Sequence, residues 1–135
     1  MANPNIVNVT SIYGNTAYVV PANAATATTT WTYNGSTALT GLTPAANTVN
    51  RVTSVTCTNQ TSSAATATIA VGNNPTFANA TVITYPAYQI SVPPNATLII
   101  VDKTTSLYIT ENQSVAAYSG TANALTFTAT FEQIT

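Results

Sequence analysis

The chain has 135 residues, of which 45% are hydrophobic and only 4% are charged, with a formal net charge of −1. This length supports one domain with a real hydrophobic core, and the hydrophobic fraction excludes a disordered chain. Two basic residues cannot neutralise a run of phosphates, so we expect no nucleic-acid partner. The longest apolar run, ATLIIV, is too short for a membrane-spanning helix, and no basic region followed by an apolar stretch opens the chain, so neither a membrane partner nor secretion is expected.

Strand-like segments recur along the chain, rich in threonine, valine, isoleucine and tyrosine and separated by turn-forming residues. In chain order they are NIVNVTSI, TATTTWTY, NTVNRVTSVTCT, AATATIAV, TVITY, AYQISV, ATLIIVD, SLYIT, SVAAYS and ALTFTATFEQI. About eight to ten short strands predict a single all-β domain over residues 1–135, an antiparallel, jelly-roll-like β-sandwich, with a barrel as the alternative. Residues 1–14 are predicted to be an extended N-terminal arm or the first strand.

The predicted turns include three at which glycine lies next to asparagine, Gly14-Asn15, Asn34-Gly35 and Gly72-Asn73. Gly14-Asn15 predicts an early turn, and Asn34-Gly35 predicts a tight hairpin after TATTTWTY, because both residue types tolerate a positive φ. Within TATTTWTY, Trp31 and Tyr33 fall on one face and threonines on the other. We expect Trp31 to fill a core or an interface rather than to stack on a sugar.

One later segment has apolar residues on both faces of its predicted strand. TLIIVD is apolar on both faces, so both faces of the strand are expected to be covered, by a loop or by another subunit.

The last strand has its apolar and polar residues on opposite sides. Its apolar side carries Leu125, Phe127, Ala129 and Phe131, and its polar side carries Thr126, Thr128, Thr130 and Glu132. Threonine loses less rotamer freedom than lysine or glutamate when it is covered, so such a surface suits contact with other protein. The alternative is a hydroxyl surface that simply faces water.

The residues offer little for catalysis. The chain has no histidine, which excludes Ser-His-Asp and Cys-His arrangements, and its three carboxylates, Asp102, Glu111 and Glu132, are isolated in sequence. We therefore predict no enzyme, no catalytic residue, no cofactor and no metal, although a calcium site from Asp102, Glu111 and asparagine carbonyls is an unspecific alternative. Cys57 is the only cysteine and is expected to be a buried structural thiol. Arg51 is either an intersubunit pairing residue or a solvated strand end.

Both ends of the chain carry motifs that resemble a known group of proteins. NPNIVNVTSIYG at the start, and QISVPPNATLIIVDKTTSLYITENQSVAAYSG with LTFTATFEQI at the end, are similar to small virion structural proteins of tailed bacteriophages, especially those of cyanobacteria and other aquatic bacteria. The resemblance covers the first 14 residues and roughly residues 88–134, and the motifs are structural rather than catalytic.

The resemblance implies a β-sandwich in a virion, commonly a trimer or another homo-oligomer. The expected function is a capsid decoration (cement) protein on the outer capsid surface, with the major capsid protein and copies of itself as partners. A tail-fibre or receptor-binding module for host glycan is the alternative. Because aromatic residues and arginine are enriched at interface cores, the predicted contact residues are Tyr13, Trp31, Tyr33, Arg51, Tyr85 and Tyr88.

Overall fold

The computed structural model of the chain describes residues 8–135. The strands of this part are β1 (Ile12–Val19), β2 (Thr30–Tyr33), β3 (Thr37–Thr40), β4 (Val49–Asn59), β5 (Ala65–Gly72), β6 (Val82–Val92), β7 (Thr97–Val101), β8 (Leu107–Ile109), β9 (Ser114–Ser119) and β10 (Leu125–Ile134). A short 3₁₀ turn at Lys103–Thr105 precedes β8. Among the described residues, no helix has the length and hydropathy needed to cross a membrane.

Seven strands form the larger sheet, in the order β3-β2-β1-β10-β4, with β7 and β8 both paired to the free edge of β4. All of these pairings are antiparallel. β7 pairs with Val55–Thr58 of β4 and β8 with Asn50–Val52, so the two short strands lie end to end along one edge. The last strand, β10, lies between β1 and β4, a non-sequential order of the kind that Greek-key connections produce.

The smaller sheet has three antiparallel strands in the order β6-β5-β9 and packs against the larger one. An isolated bridge between Thr28 and Ala117 adds the segment before β2 to the edge at β9. The two packed antiparallel sheets confirm the predicted all-β sandwich. In β10 the apolar side is buried as predicted, with Leu125, Phe127, Ala129 and Phe131 all in the core.

Trp31 is the largest fully buried side chain and lies in the core between the sheets. Its indole Nε1 donates to the carbonyl oxygen of Val115 at 3.1 Å. Trp31 belongs to β2 of the larger sheet and Val115 to β9 of the smaller one, so one side chain both fills volume and ties the sheets together. The expectation that this residue fills a core is confirmed.

Several local predictions need correction. Gly14-Asn15 is not a turn, because both residues lie inside β1 and pair with Glu132 and Phe131 of β10. TVITY and AYQISV form one strand, β6, which continues through Pro86 with register shifts against β5. The sequence prediction also missed β3. The Asn34-Gly35 hairpin is confirmed: both residues have positive φ and connect β2 to β3. Of the predicted arm or first strand over residues 1–14, residues 1–7 lie outside the described part, and residues 12–14 open β1.

Candidate binding surfaces

The outward side of the larger sheet is covered by hydroxyl groups and is called here the hydroxyl face. Its central row runs across six strands, from one edge of the sheet to the other. In spatial order the row is Ala38, Thr32, Tyr18, Thr128, Thr56 and Ile99. Parallel rows lie on both sides: Thr16, Thr130 and Ser54 on one, and Thr126, Thr58 and Thr97 on the other. The Thr58 and Thr97 hydroxyls are 3.0 Å apart and share a hydrogen bond.

The hydroxyl face carries one ion pair and no net charge. Arg51 and Glu132 are neighbours on β4 and β10, and the Arg51 Nη1 to Glu132 Oε2 distance is 3.6 Å. The other three charged residues of the chain, Asp102, Lys103 and Glu111, lie outside the strands. The sequence predicts Arg51 as either an intersubunit pairing residue or a solvated strand end. In the structure Arg51 is paired with a residue of its own chain.

The hydroxyl face also carries exposed aromatic and aliphatic side chains. Tyr18 is exposed at its centre, Tyr108 on β8 lies beside Arg51, and Ile99 on the edge strand β7 is 67% exposed. Leu98 and Val101 of the same strand pack on the core, and a register shift beside Val101 returns that residue to the inner side. No loop of the described chain buries Ile99, so the predicted cover by a loop is wrong for the outer face of this strand, and cover by another subunit stays a prediction.

The structure does not gather the predicted contact residues on one surface. Trp31 is wrong as a contact residue, because its side chain is 0% exposed and cannot reach a partner. Tyr33 is only half-buried but packs inward, edge-on to Phe131 with ring centroids 6.4 Å apart. Tyr13 is exposed at the start of β1. Tyr85 and Tyr88 lie on the opposite sheet from Tyr13 and Arg51.

Tyr85 and Tyr88 belong to a second surface, an open depression of about 270 Å³ on the outward side of the smaller sheet, called here the tyrosine cleft. Its lining consists of Ala25, Thr66, Thr68, Tyr85, Tyr88, Gln89, Tyr118, Ser119 and Gly120. The Tyr85 and Tyr88 rings meet edge-on with centroids 4.9 Å apart, and Tyr118 lies across the sheet on β9, directly opposite Thr68. Sequence analysis found two of these tyrosines but gave no reason to join them with Tyr118.

The cysteine and the acidic residues outside the hydroxyl face lie apart from one another and have separate environments. Burial raises the pKa of Cys57 to about 12, so the thiol stays protonated at neutral pH. Hydrogen bonds from the side chain and backbone of Thr104 lower the pKa of Asp102, which caps the 3₁₀ turn. Glu111 accepts a hydrogen bond from the backbone N–H of Asn47. Within residues 8–135 no three acidic, histidine or cysteine side chains come together as metal ligands would.

The chain is thus a β-sandwich domain with one broad face that has no net charge and one small aromatic cleft. Comparisons of the chain with protein-family models, with curated proteins and with solved structures found no match. Its function is therefore inferred from these surfaces and from the terminal sequence motifs.

Proposed function

We propose that the chain is a structural protein of a tailed-bacteriophage virion, and specifically a capsid decoration protein that binds the outer surface of the shell and reinforces it. The observation that carries the proposal is the hydroxyl face, a broad sheet surface without net charge. The phage-like motifs at both ends of the chain support the assignment to a virion. The proposed partners are the major capsid protein and further copies of this chain.

The chemistry of the hydroxyl face suits contact with protein. Threonine and serine side chains lose little rotamer freedom when covered, and the threonine methyl group packs against an apolar neighbour. Tyr18 and Tyr108 add rigid aromatic area, a feature enriched at interface cores, while lysine is missing from the face and its single glutamate is paired. Covering this surface therefore requires neither an immobilised lysine nor an unpaired buried charge.

The dimensions of the face match a contact of modest strength. Six strands separated by about 4.8 Å span roughly 24 Å, and the eight residues of β1 extend roughly 27 Å. The product, about 650 Å², is an upper limit, because β2 and β3 have four residues each and β7 has five, so the face is smaller than the roughly 800 Å² that each partner contributes to a standard interface. An oligomer that engages several capsomers would bind much more tightly than a single copy through multivalency.

The exposed Ile99 supports association between copies. It ends the central row of the hydroxyl face on the edge strand β7, and β7 in turn lies beside β6 of the smaller sheet, which exposes Ile83 and Ile90. We propose that this side of the sandwich packs against further copies of the chain, in a trimer as the resemblance implies. The molar mass of the purified protein in solution tests this part of the proposal, and a lone monomer both in solution and on the particle would contradict it.

Binding to shells that lack this protein tests the docking face. Purified protein would be sedimented with such shells from the phage that encodes it, and bound protein measured against concentration. Thr128→Lys places a charge at the centre of the hydroxyl face and is expected to abolish saturable binding. The matched control is Ser91→Lys, which adds the same charge to an exposed strand position on the opposite sheet. Loss of binding in the control and not in Thr128→Lys would overturn the assignment of the face.

Copy number per particle separates the decoration protein from the alternative, a receptor-binding module at a fibre tip. The tyrosine cleft is the observation that favours this alternative. A protein that coats the shell is present in many copies, whereas a fibre tip is present in few. Gel densitometry of purified virions against the major capsid protein gives the ratio, and a low ratio would reject the decoration assignment.

A further inference from the structure

We propose that the tyrosine cleft is a binding site for a neutral saccharide. The cleft lies on the outward side of the smaller sheet, whereas the hydroxyl face is the outward side of the larger one. The two surfaces therefore point in opposite directions. A molecule docked through its hydroxyl face would leave the tyrosine cleft open to solvent.

The chemistry of the lining favours a sugar. Tyr85, Tyr88 and Tyr118 supply aromatic surface for the apolar C–H side of a sugar ring, while the Gln89 amide and the Thr66 and Thr68 hydroxyls supply donors and acceptors for its hydroxyl groups. This combination of aromatic walls with a few convergent polar groups is typical of small-molecule sites. Desolvation by burial raises the pKa of Tyr118, and the neighbouring Tyr85 raises it further, so its phenol is neutral at physiological pH and can both donate and accept.

The absence of charge narrows the ligand class. None of the nine residues that line the cleft is acidic or basic. A phosphate or carboxylate ligand would find no cation to neutralise it, and a cationic ligand would find no carboxylate. The aromatic rings could also stack on nucleobases, but a nucleic-acid backbone needs basic residues that this surface lacks. A neutral polyhydroxylated ring is the ligand that fits both the aromatic and the uncharged character of the lining.

A β-bulge and several backbone hydrogen bonds fix the positions of the residues that line the tyrosine cleft. Tyr88 and Gln89 together oppose the single residue Thr68, a β-bulge in which Gln89 has φ 49° and donates its N–H to the Thr68 hydroxyl at 2.8 Å. Bulges redirect side chains and recur beside functional sites. At the other end, the Gly120 N–H donates to the Thr66 carbonyl and the Ala25 N–H donates to the Ser119 carbonyl, both at 2.8 Å. The frame is therefore fixed by hydrogen bonds rather than by loose loops.

The size of the cleft limits the ligand to a small unit. Its volume of about 270 Å³ is just under the lower end of the range of roughly 300–1,000 Å³ for pockets that hold drug-sized ligands. The cleft accommodates one sugar ring, either free or as one unit of a longer chain that continues into solvent. This inference does not depend on the virion assignment, because it concerns the opposite sheet and is measured on the isolated protein.

Nuclear magnetic resonance on the 13.9 kDa chain tests the site directly. Amide spectra would be recorded while titrating methyl glycosides of glucose, galactose, mannose and N-acetylglucosamine, with sialic acid as a charged comparator. The expected result is a saturable shift of the Thr68, Gln89, Tyr118 and Gly120 amides with at least one neutral glycoside. No shift with any neutral glycoside, or shifts with sialic acid alone, would overturn the proposal.

Substitutions test whether saccharide binding occurs at the tyrosine cleft. Tyr88→Ala is expected to weaken saccharide binding by at least about tenfold, since it removes the most exposed ring of the pair. Tyr13→Ala is the matched control: Tyr13 is 64% exposed against 57% for Tyr88, but it lies on the other sheet, so its loss should leave the saccharide affinity unchanged. Equal affinities in both variants would reject the cleft as the site. Shell binding measured on the same Tyr88→Ala protein should be normal, which separates this inference from the proposed docking.

Discussion

Arg51 on β4 and Glu132 on β10 are direct neighbours on the hydroxyl face, with Nη1 and Oε2 3.6 Å apart. Each side chain is more than one third exposed, 36% and 37% respectively. Exposed ion pairs contribute about 0–1 kcal/mol to stability, because water already solvates both groups and holding them together costs rotamer entropy. The main consequence of the pair is that it removes net charge from the face that we propose to dock.

The variant Glu132→Gln should show that the ion pair matters little for stability and much for shell binding. The free energy of unfolding is expected to change by less than about 1 kcal/mol. Shell binding should weaken much more, because docking would then cover an unpaired guanidinium. Urea unfolding and co-sedimentation measure the two quantities, and the double variant Arg51→Gln/Glu132→Gln, which is again neutral, should recover most of the binding. Normal shell binding by Glu132→Gln alone would contradict this account.

Shell binding should depend little on salt. Raising the ionic strength from about 0.1 M to about 1 M shortens the Debye length from about 10 Å to about 3 Å and weakens contacts between exposed charges. Since the hydroxyl face has one internally neutralised pair, we expect the dissociation constant to change by less than about threefold over this range. A steep loss of binding with salt would mean that charged residues elsewhere on the chain make the contact.

Truncating Trp31 should destabilise the sandwich strongly. Trp31→Ala leaves a large void in the core, and such truncations cost about 3–5 kcal/mol. Trp31→Phe retains most of the ring but leaves the Val115 carbonyl without its donor, which costs about 1–3 kcal/mol. Unfolding of both variants would be followed by circular dichroism, since the chain has no other tryptophan to serve as a fluorescent reporter. A Trp31→Ala protein as stable as the unmodified chain would show that the indole does not link the sheets.

The alternation of β10 shows how far periodicity can predict this fold. Leu125 and Phe131 mark one side of a strand and Thr128 the other, and the structure buries the first set. The same logic identified the side of β2 that carries Trp31, but alternation alone cannot tell whether an apolar side packs on its own chain or on a partner. Alternation therefore predicts Trp31 equally well as a contact residue and as a core residue, and the structure places it in the core.

The sequence pattern does not predict which side chains of different strands lie next to each other. Tyr85 and Tyr88 were predicted in two separate strands divided at Pro86, and Tyr118 is 30 positions beyond Tyr88 in the chain. Their grouping depends on the pairing of β5 with both β6 and β9, and on the bulge at Gln89. Pairing partners and bulges are set by long-range packing rather than by local propensity, so neither could be found from the sequence pattern.

Gly41 should be intolerant of alanine. Its φ of +63° is costly for a residue with a Cβ, and an added Cβ would also collide with the Ser114 side chain, while the Gly41 carbonyl accepts from the Val115 N–H at 2.7 Å. Gly35 is the control: its φ is +81°, but nothing lies within 4 Å of an added Cβ. Gly35→Ala is expected to cost about 1 kcal/mol of unfolding free energy from backbone strain, and Gly41→Ala clearly more. Equal losses in urea unfolding would show that the Ser114 contact relaxes without cost.

Cys57 should be inert while the protein is folded. Burial raises the pKa of its thiol from the ordinary value of 9.0 to about 12, so almost no thiolate, the reactive form, exists at pH 8. Labelling by a thiol reagent should therefore be slow in buffer and fast in urea, whereas Ser62→Cys in a Cys57→Ala background should react at once, because residue 62 is exposed.

The same raised pKa predicts how Cys57 affects alkaline stability. Between pH 9.0 and about 12 the folded thiol keeps a proton that the unfolded chain releases. The folded state then binds more protons than the unfolded state, so this group makes the free energy of unfolding fall as pH rises through that window. Cys57→Ala removes the contribution, and its unfolding free energy should decline less steeply above pH 9 than that of the unmodified chain. Parallel declines in the two proteins, or rapid labelling of folded Cys57, would show that the thiol is open to water.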